Sequence, residues 1–320
     1  DDNGLCEIHK NLGEDYLGVV CKQFPRYSEY YGTIKESGIG LACEEAARII
    51  LSENRPFSME TAACDEEYEP SSEYDSSFAL QIFAAREAVF KILAKESLSI
   101  HEKLIVILDM GSKIQQCINT DEYDNIKSVV NDYLKEGIAH TLDETRNLSD
   151  SGQFEDISLQ QGIRQILYPY EEMEVLNPEW EVILKDIIDS LFEQMSDEEY
   201  NILNEEFGTY MVSRAYEYRQ LLEYLVFRYF AKSIYDYDFL GKCQMLVTNF
   251  FVIRQMDIIR WLDNHREYSF KDRMDVVHIF SRQVEYSEDN IENLYEDFIF
   301  DDIFKTDSLI AILWIDSENI

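Results

Sequence analysis

The sequence predicts an all-α fold, in which a multi-helix domain follows a loop-rich N-terminal segment that contains cysteines. Three observations lead there. Glycine and proline number only 12 and 5 in 320 residues, too few for the tight turns that most sheet folds of this size require. Hydrophobic residues make up 46% of the chain, enough to bury one large core or two medium ones. Beyond the first quarter of the sequence, apolar residues recur close to helical spacing.

Residues 1–60 are loop-rich and hold Gly4, Gly13, Gly18, Gly32, Gly38 and Gly40. A small hairpin is the largest sheet expected there. One short helix is expected over Glu44–Ser52, stopped by Pro56. An acidic linker spans 61–77, where carboxylates, Pro70 and four serines cluster. The helical domain takes up 78–320. Its first helix runs from Phe78 to about Glu96, with Ile82, Phe83, Val89, Phe90 and Leu93 as apolar positions. Ser99 with Glu102, Ser196 with Glu199 and Ser269 with Asp272 have the spacing of capping boxes and open three further helices. Asp121–Leu148 reads as one helix, frayed in its second half, and 149–156 as a polar loop. Asn177 caps a helix that carries Pro178 in its first turn and ends near Met195. The span Thr209–Ile234 has an apolar stripe, and Phe239–Leu262, apolar on more than one face, is expected to be the central helix. The third capping box opens a helix that closes near Val284, and two shorter ones follow.

Lys and Arg total 28 against 64 Asp and Glu, a formal charge of −36. Such a surface repels nucleic acid and anionic membranes and attracts basic partners, although charge of this kind also serves solubility alone. No segment reads as a signal peptide or a membrane span, so a cytoplasmic location is expected. The chain starts at Asp1 rather than methionine, from which further residues upstream, or a longer parent protein, are expected.

Cys6, Cys21 and Cys43 fall in the first segment, 15 and 22 residues apart. Thiolates suit zinc or iron–sulfur clusters. No C-x-x-C is present, and closed sites usually take four ligands, so three unrelated thiols explain the spacing better than a shared site does. His9 lies between the first two cysteines as a further candidate ligand. Cys117 and Cys243 sit in apolar helical patterns and read as buried small hydrophobes.

The words around those cysteines are more specific. Asp1, Asp2, Gly4, Leu5 and Cys6, then Leu12–Leu17 with Cys21, then Phe24, Pro25 and Arg26, and finally Leu41, Cys43, Glu45, Ala46, Ala47 and Arg48 resemble the flagellin lysine N-methylase family, and through it the wider zinc- or iron-chelating cysteine-cluster domains. Shorter matches continue at Arg86-Glu87-Ala88, Glu223-Tyr224-Leu225, and Ser281-Arg282 with Glu285. Glu44 stands where the family has proline, and the family's upstream cysteine-rich stretch has no counterpart in this chain.

The resemblance implies a lysine N-methyltransferase that acts on flagellin, uses S-adenosylmethionine as donor, and binds an iron–sulfur cluster (or zinc) at Cys6, Cys21 and Cys43. No Gly-x-Gly loop between a strand and a helix is present, so a Rossmann-type donor site is not expected. Methylating lysine requires a neutral amine and hence a nearby base. Glu223, Tyr224 and Glu285 are the catalytic candidates, with Tyr229 beside them, and Arg48, Arg86 and Arg282 are candidates for holding the donor's carboxylate. Each has a plainer explanation. Arg219–Glu223 and Arg282–Glu285 have the spacing of ordinary helical ion pairs, the tyrosines suit packing, and the arginines suit solvated faces. A metal-binding or redox-sensing helical protein without methyl transfer, or a helical interaction module, stands as the alternative.

Overall fold

The computed structural model describes residues 6–63, 75–150 and 157–318. The first part is the loop-rich segment the composition predicts. Two short helices, α1 (Glu7–Leu12) and α2 (Val19–Gln23), bury none of their residues. An antiparallel hairpin follows, β1 (Arg26–Tyr31) with β2 (Ile34–Ile39), in a register that sets Arg26 opposite Ile39 and Tyr31 opposite Ile34. Gly32 makes its turn at φ 60°, a conformation that costs glycine little. Helix α3 (Glu44–Leu51) buries Ala46, Ala47 and Leu51. Of the linker expected at 61–77, residues 64–74 lie outside the described residues.

The helical body begins with α4 (Ser76–Leu93), N-capped by Asp75, whose side chain accepts from the Ser77 and Phe78 amides. Helix α5 (Ile100–Asn119) starts at the Ser99–Glu102 capping box, so two of its otherwise unpaired end groups are satisfied reciprocally.

The single helix expected over Asp121–Leu148 is instead broken. Asp121 turns at φ 57°, α6 (Ile126–Asp132) runs into a π-helical stretch at Tyr133–Gly137, and α7 (Ile138–Asp150) comes next. Gly137 sits within the widened turn, where a Cβ would lie 3.0 Å from the Asp132 carbonyl oxygen. The polar loop expected next lies, from residue 151 to 156, outside the described residues.

Helix α8 (Leu159–Glu171) carries Pro169 in its last turn, which disguises it in the sequence. Helix α9 (Pro178–Ile187), capped by Asn177, ends in a second π-helical stretch at Ile188–Glu193. Helix α10 (Asp197–Met211) opens on its capping box. The stripe over Thr209–Ile234 is interrupted by a 3-10 turn at Val212–Arg214. There Arg214 leaves the helical region and its guanidinium holds Glu217 at 2.7 and 3.0 Å. The stripe therefore resolves into α11 (Ala215–Tyr229) and the one-turn α12 (Ser233–Asp236).

Helix α13 (Phe239–Asp263) is buried on nearly every face and packs against α5, α8, α9 and α11, as its apolar circumference predicts. Three helices complete the chain: α14 (Phe270–Val284), which also packs on α13 and opens on the third capping box, then α15 (Glu288–Phe300) and α16 (Thr306–Glu318). Among the described residues the hairpin is the whole of the sheet, and no helix is long and apolar enough to cross a membrane.

The N-terminal segment is not a loose appendage. Tyr31 is buried, with its ring edge-on to Phe83 at 5.8 Å and stacked on Tyr235 at 5.9 Å. Helix α3 packs against α11 and α14, so hairpin and helices share one hydrophobic cluster.

Candidate functional site

Gln220, Glu223, Tyr224 and Phe227 are spaced i, i+3, i+4 and i+7 along α11 and share one face. That face forms one side of a cleft of about 260 Å³. The hairpin contributes Tyr27, Gly38 and Ile39 opposite, and the segment after α3 contributes Arg55, Pro56 and Phe57. Gly38 is required by the closeness of the packing, since a Cβ there would lie 2.6 Å from the Tyr27 hydroxyl. A second cleft, of about 650 Å³, adjoins the first across Phe57, Ser58 and Phe227 and lies between β2 and residues 57–63. The two together fall in the roughly 300–1,000 Å³ range of small-molecule sites.

Glu223 is the acid of the cleft. Its two oxygens accept from Arg219 Nη1 at 2.7 and 2.9 Å. The pair is no solvated surface bridge, for its side chains are 11% and 4% exposed. Arg219 Nη2 also reaches Asn54 Oδ1 at 2.9 Å and the Arg55 carbonyl at 3.1 Å, which ties the far wall to the helix. Burial pushes the Glu223 carboxyl above its ordinary range, against the pull of Arg219. A carboxylate so placed is a stronger base than one in water.

Tyr224 joins the cleft to a buried network behind it. Its hydroxyl donates to Glu285 Oε2 at 2.8 Å and lies 3.0 Å from Arg228 Nη1 and 3.4 Å from the Leu41 amide, both of which donate to it. Glu285 Oε2 also accepts from the Tyr229 hydroxyl at 3.1 Å and pairs with Arg228 Nε at 3.0 Å. Burial, reinforced by Glu285, holds the Tyr224 and Tyr229 hydroxyls far above their ordinary pKa, so both remain donors. Glu285 does not line the cleft. It positions Tyr224 from behind.

The three arginines separate. Arg48 is exposed and held by Glu45 at 2.6 Å on the solvent side of α3. Arg282 is exposed on α14, and its expected partner Glu285 pairs with Arg228 instead. Arg86 is buried beneath the second cleft, forked onto Glu36, with Nη1 to Oε2 at 2.6 Å, and lies 5.1 Å from the Phe83 ring centre and 5.8 Å from that of Phe227. Its fork is filled by Glu36, so a ligand carboxylate would have to displace that side chain.

Cys6 is exposed at the N-cap of α1, Cys21 is exposed on α2, and Cys43 is half-buried at the N-cap of α3. His9 is exposed on α1. Among the described residues no group of three or more His, Cys, Asp or Glu side chains is arranged to hold a metal ion. The structure therefore does not bring the three thiols into a ready ligand set. Cys117 and Cys243 are buried, as their apolar surroundings predict.

Residues 86–312 match the family model described as the FliB lysine N-methylase C-terminal domain. The chain belongs to this family. No curated protein and no solved structure matches it. The stretch of the chain matched to the FliB domain carries α11 and α14, and with them Gln220, Glu223, Tyr224, Arg228 and Glu285. The opposite wall, from Tyr27 to Phe57, lies outside it.

Several residues of this FliB-family cleft escape a reading of the sequence. Gln220 and Phe227 share the helical phase of Glu223 and are recoverable from it. Tyr27 and Phe57 reach the site through tertiary packing, which no local pattern records, and Arg228, four residues after Tyr224 on α11, is singled out only by its pairing with Glu285.

Proposed function

We propose that this chain transfers a methyl group from S-adenosylmethionine to lysine ε-amines of flagellin, and that the α11 cleft is where the amine is prepared. One observation carries this reading. Within the FliB-matched region, a carboxylate made more basic by burial, Glu223, lines a cleft walled by Tyr27, Phe57, Tyr224 and Phe227. The acidic surface, with its net charge of −36, favours the approach of a cationic side chain.

S-adenosylmethionine supplies an electrophilic methyl group on a sulfonium. The residues of this chain do the rest. Glu223 attracts the lysine ammonium and accepts its proton, which frees the nitrogen lone pair. The lone pair forms the new N–C bond as the C–S bond breaks, and the bonding electrons leave with sulfur as a neutral thioether. The proton on Glu223 then passes to water. Aromatic faces at Tyr27, Phe57 and Phe227 favour positive charge, whether of sulfonium or of ammonium. Glu285 and Arg228 hold the Tyr224 ring and hydroxyl at the cleft wall.

The family resemblance also implies an iron–sulfur cluster, with zinc as the alternative, and Cys6, Cys21 and Cys43 are the thiolates that would hold it. Two of them are exposed and none belongs to a metal-holding group among the described residues. As arranged, they do not fit a closed site.

The test is to incubate anaerobically purified protein with S-adenosylmethionine and its own organism's flagellin and to read the methyl mass added to lysines. Transfer that is lost in Glu223→Gln supports the site. Absence of transfer by the wild type would sink the methyltransferase reading, whereas transfer that survives Glu223→Gln would keep the function and discard this cleft.

A further inference from the structure

Every residue from 33 to 39 lines one or other of the two adjoining clefts. A face of a strand shows only alternate residues, so the clefts run along an edge of β2 rather than over one of its faces. The hairpin's hydrogen bonds tell which main-chain groups meet them. The Gly40 amide donates to the Pro25 carbonyl at 2.8 Å. In an antiparallel ladder, pairs that exchange such bonds alternate with pairs whose amides and carbonyls point away from each other. Counted from Pro25 and Gly40 in the observed register, Arg26 with Ile39 and Ser28 with Ser37 are pairs of the second kind. The main-chain groups of Ser37 and Ile39 therefore point away from β1, along the outer edge of β2. Among the described residues nothing pairs with them. Ser37 is exposed and Ile39 half-buried. Across the trough, residues 54–63 form no strand and make no main-chain hydrogen bond to β2 among the described residues. An open edge of this kind is a template for a further strand.

The geometry points to an extended stretch of flagellin, bearing the target lysine, that adds to the outer edge of β2 as a third strand. This rests on the reading of the α11 cleft as the lysine site. Residues 33–39 span roughly 20 Å at the rise of a strand, enough to pair about six residues of an added chain. The volumes of about 260 and 650 Å³ beside that edge leave room for one. At its Ile39 end the trough opens into the cleft that holds Glu223. The strand that fits there presents a cationic side chain to this carboxylate, which complements the acid of the cleft and the net charge of −36. A helical stretch of substrate cannot use the edge, because its own amides and carbonyls are already paired within the helix. Along an added strand, successive side chains point to opposite sides. Main-chain bonds to Ser37 and Ile39 then supply affinity that is blind to sequence, and the lysine turned towards α11 supplies the selection.

The probes are lysine-containing peptides of about ten residues, long enough to fill the edge, tiled along the flagellin of the protein's own organism and titrated calorimetrically without donor. Two variants isolate the edge amide. Ser37→Pro removes it at a position that gives no bond to β1, where an edge strand tolerates proline. Ser37→Ala keeps the amide, and both variants lose the hydroxyl contact with Ser28 at 2.8 Å. The best-binding peptide is expected to bind Ser37→Pro about tenfold or more weakly than Ser37→Ala, from the lost bond and the ring set in its path. In the wild type, methylating the peptide's own amides one at a time should weaken binding at every second position and spare those between, an alternation that side-chain contacts alone do not produce. The Ser37 and Ile39 amides should exchange hydrogen freely in the protein alone and slow down in the complex. Failure of every peptide to bind, the absence of that alternation, or equal affinity of the two variants when both are folded would overturn the proposal. So would protection of both amides in the protein alone, which would mean that the chain itself or a second copy already covers the edge. If Ser37→Pro does not fold, the peptide series and the exchange measurement decide. Peptide that binds with the alternation but gains no methyl group would sink the methyltransferase reading and leave the docking edge standing, whereas methyl transfer without the alternation would do the reverse.

Discussion

Glu223 carries its charge inside the protein with Arg219 as its partner, so its chemistry and its pH dependence are linked. Burial raises its pKa, and the folded chain therefore binds this proton more tightly than the unfolded chain does. Stability contributed by the protonated form is present at low pH and fades as pH rises through the ordinary carboxylate pKa to the raised one. The proposed transfer would run the opposite way, because Glu223 must be ionised to act as its base. The methylation rate should fall on acidification at a pH above the ordinary carboxylate range, and the acid limb should disappear in Glu223→Gln together with about a hundredfold or more of the rate; a pH–rate profile checks both. Tyr224→Phe removes the hydroxyl that bridges Glu285, Arg228 and the Leu41 amide. A loss of about 1–3 kcal/mol in unfolding free energy, measured with denaturant, is expected from the unpaired groups left behind. Glu223, Tyr224 and Glu285 are all legible in the sequence as candidates, yet their ranks are not: which of them faces the cleft and which stands behind it depends on packing between α11 and α14. Arg228, four residues beyond Tyr224, is the partner Glu285 takes in place of Arg282, and only the tertiary fold decides between the two.

Helix starts, in contrast, are written locally. The three Ser-led capping boxes at Ser99, Ser196 and Ser269 form as read, because each needs only residues three apart. Interruptions are harder to see. The π-helical stretches at Tyr133–Gly137 and Ile188–Glu193 and the 3-10 turn at Val212–Arg214 keep nearly helical spacing in sequence while shifting the phase of the next helix. That last break starts α11 afresh, which sets the rotation that delivers Gln220, Glu223, Tyr224 and Phe227 together. The hairpin is held to α11 with little slack at Gly38. In Gly38→Ala the added methyl would meet the Tyr27 ring and approach Phe227 to 3.1 Å. Overpacking of this kind costs roughly 1–3 kcal/mol. Since Gly38 and Tyr27 both line the cleft, weaker binding of S-adenosylmethionine should accompany the lowered melting temperature; binding unchanged in a destabilised variant would separate the donor from this wall.

Across the whole molecule, 64 acidic groups against 28 basic ones produce a long-range field that salt screens within about 8–10 Å at physiological strength. KM for a lysine-rich protein substrate should rise with ionic strength while kcat changes little, and steady-state kinetics between low and high salt will show it. Inside this acidic envelope, several buried charges sit in partnered groups. Asp316 is one: it accepts from Asn204 Nδ2 at 2.5 Å, lies 2.6 Å from His101 Nε2, and has Arg254 at 3.9 Å. Against the cost of burial, Arg254 and His101 pull its pKa down to about 2. Because that value is depressed, its contribution of about 2 kcal/mol is present above the ordinary carboxylate pKa and is lost as pH falls from about 4 to about 2; acid unfolding of Asp316→Asn should lack that phase. The composite nature of the cleft has a consequence for how such proteins can be rearranged. One jaw is carried by α11, inside the FliB-matched region, and the other by the hairpin and the turn after α3, outside it. Transplanting the matched region onto another leader would hand over half a vice: the gripping acid would travel, but the anvil it closes against would stay behind, and a chimera would regain its hold only by inheriting both pieces from the same parent.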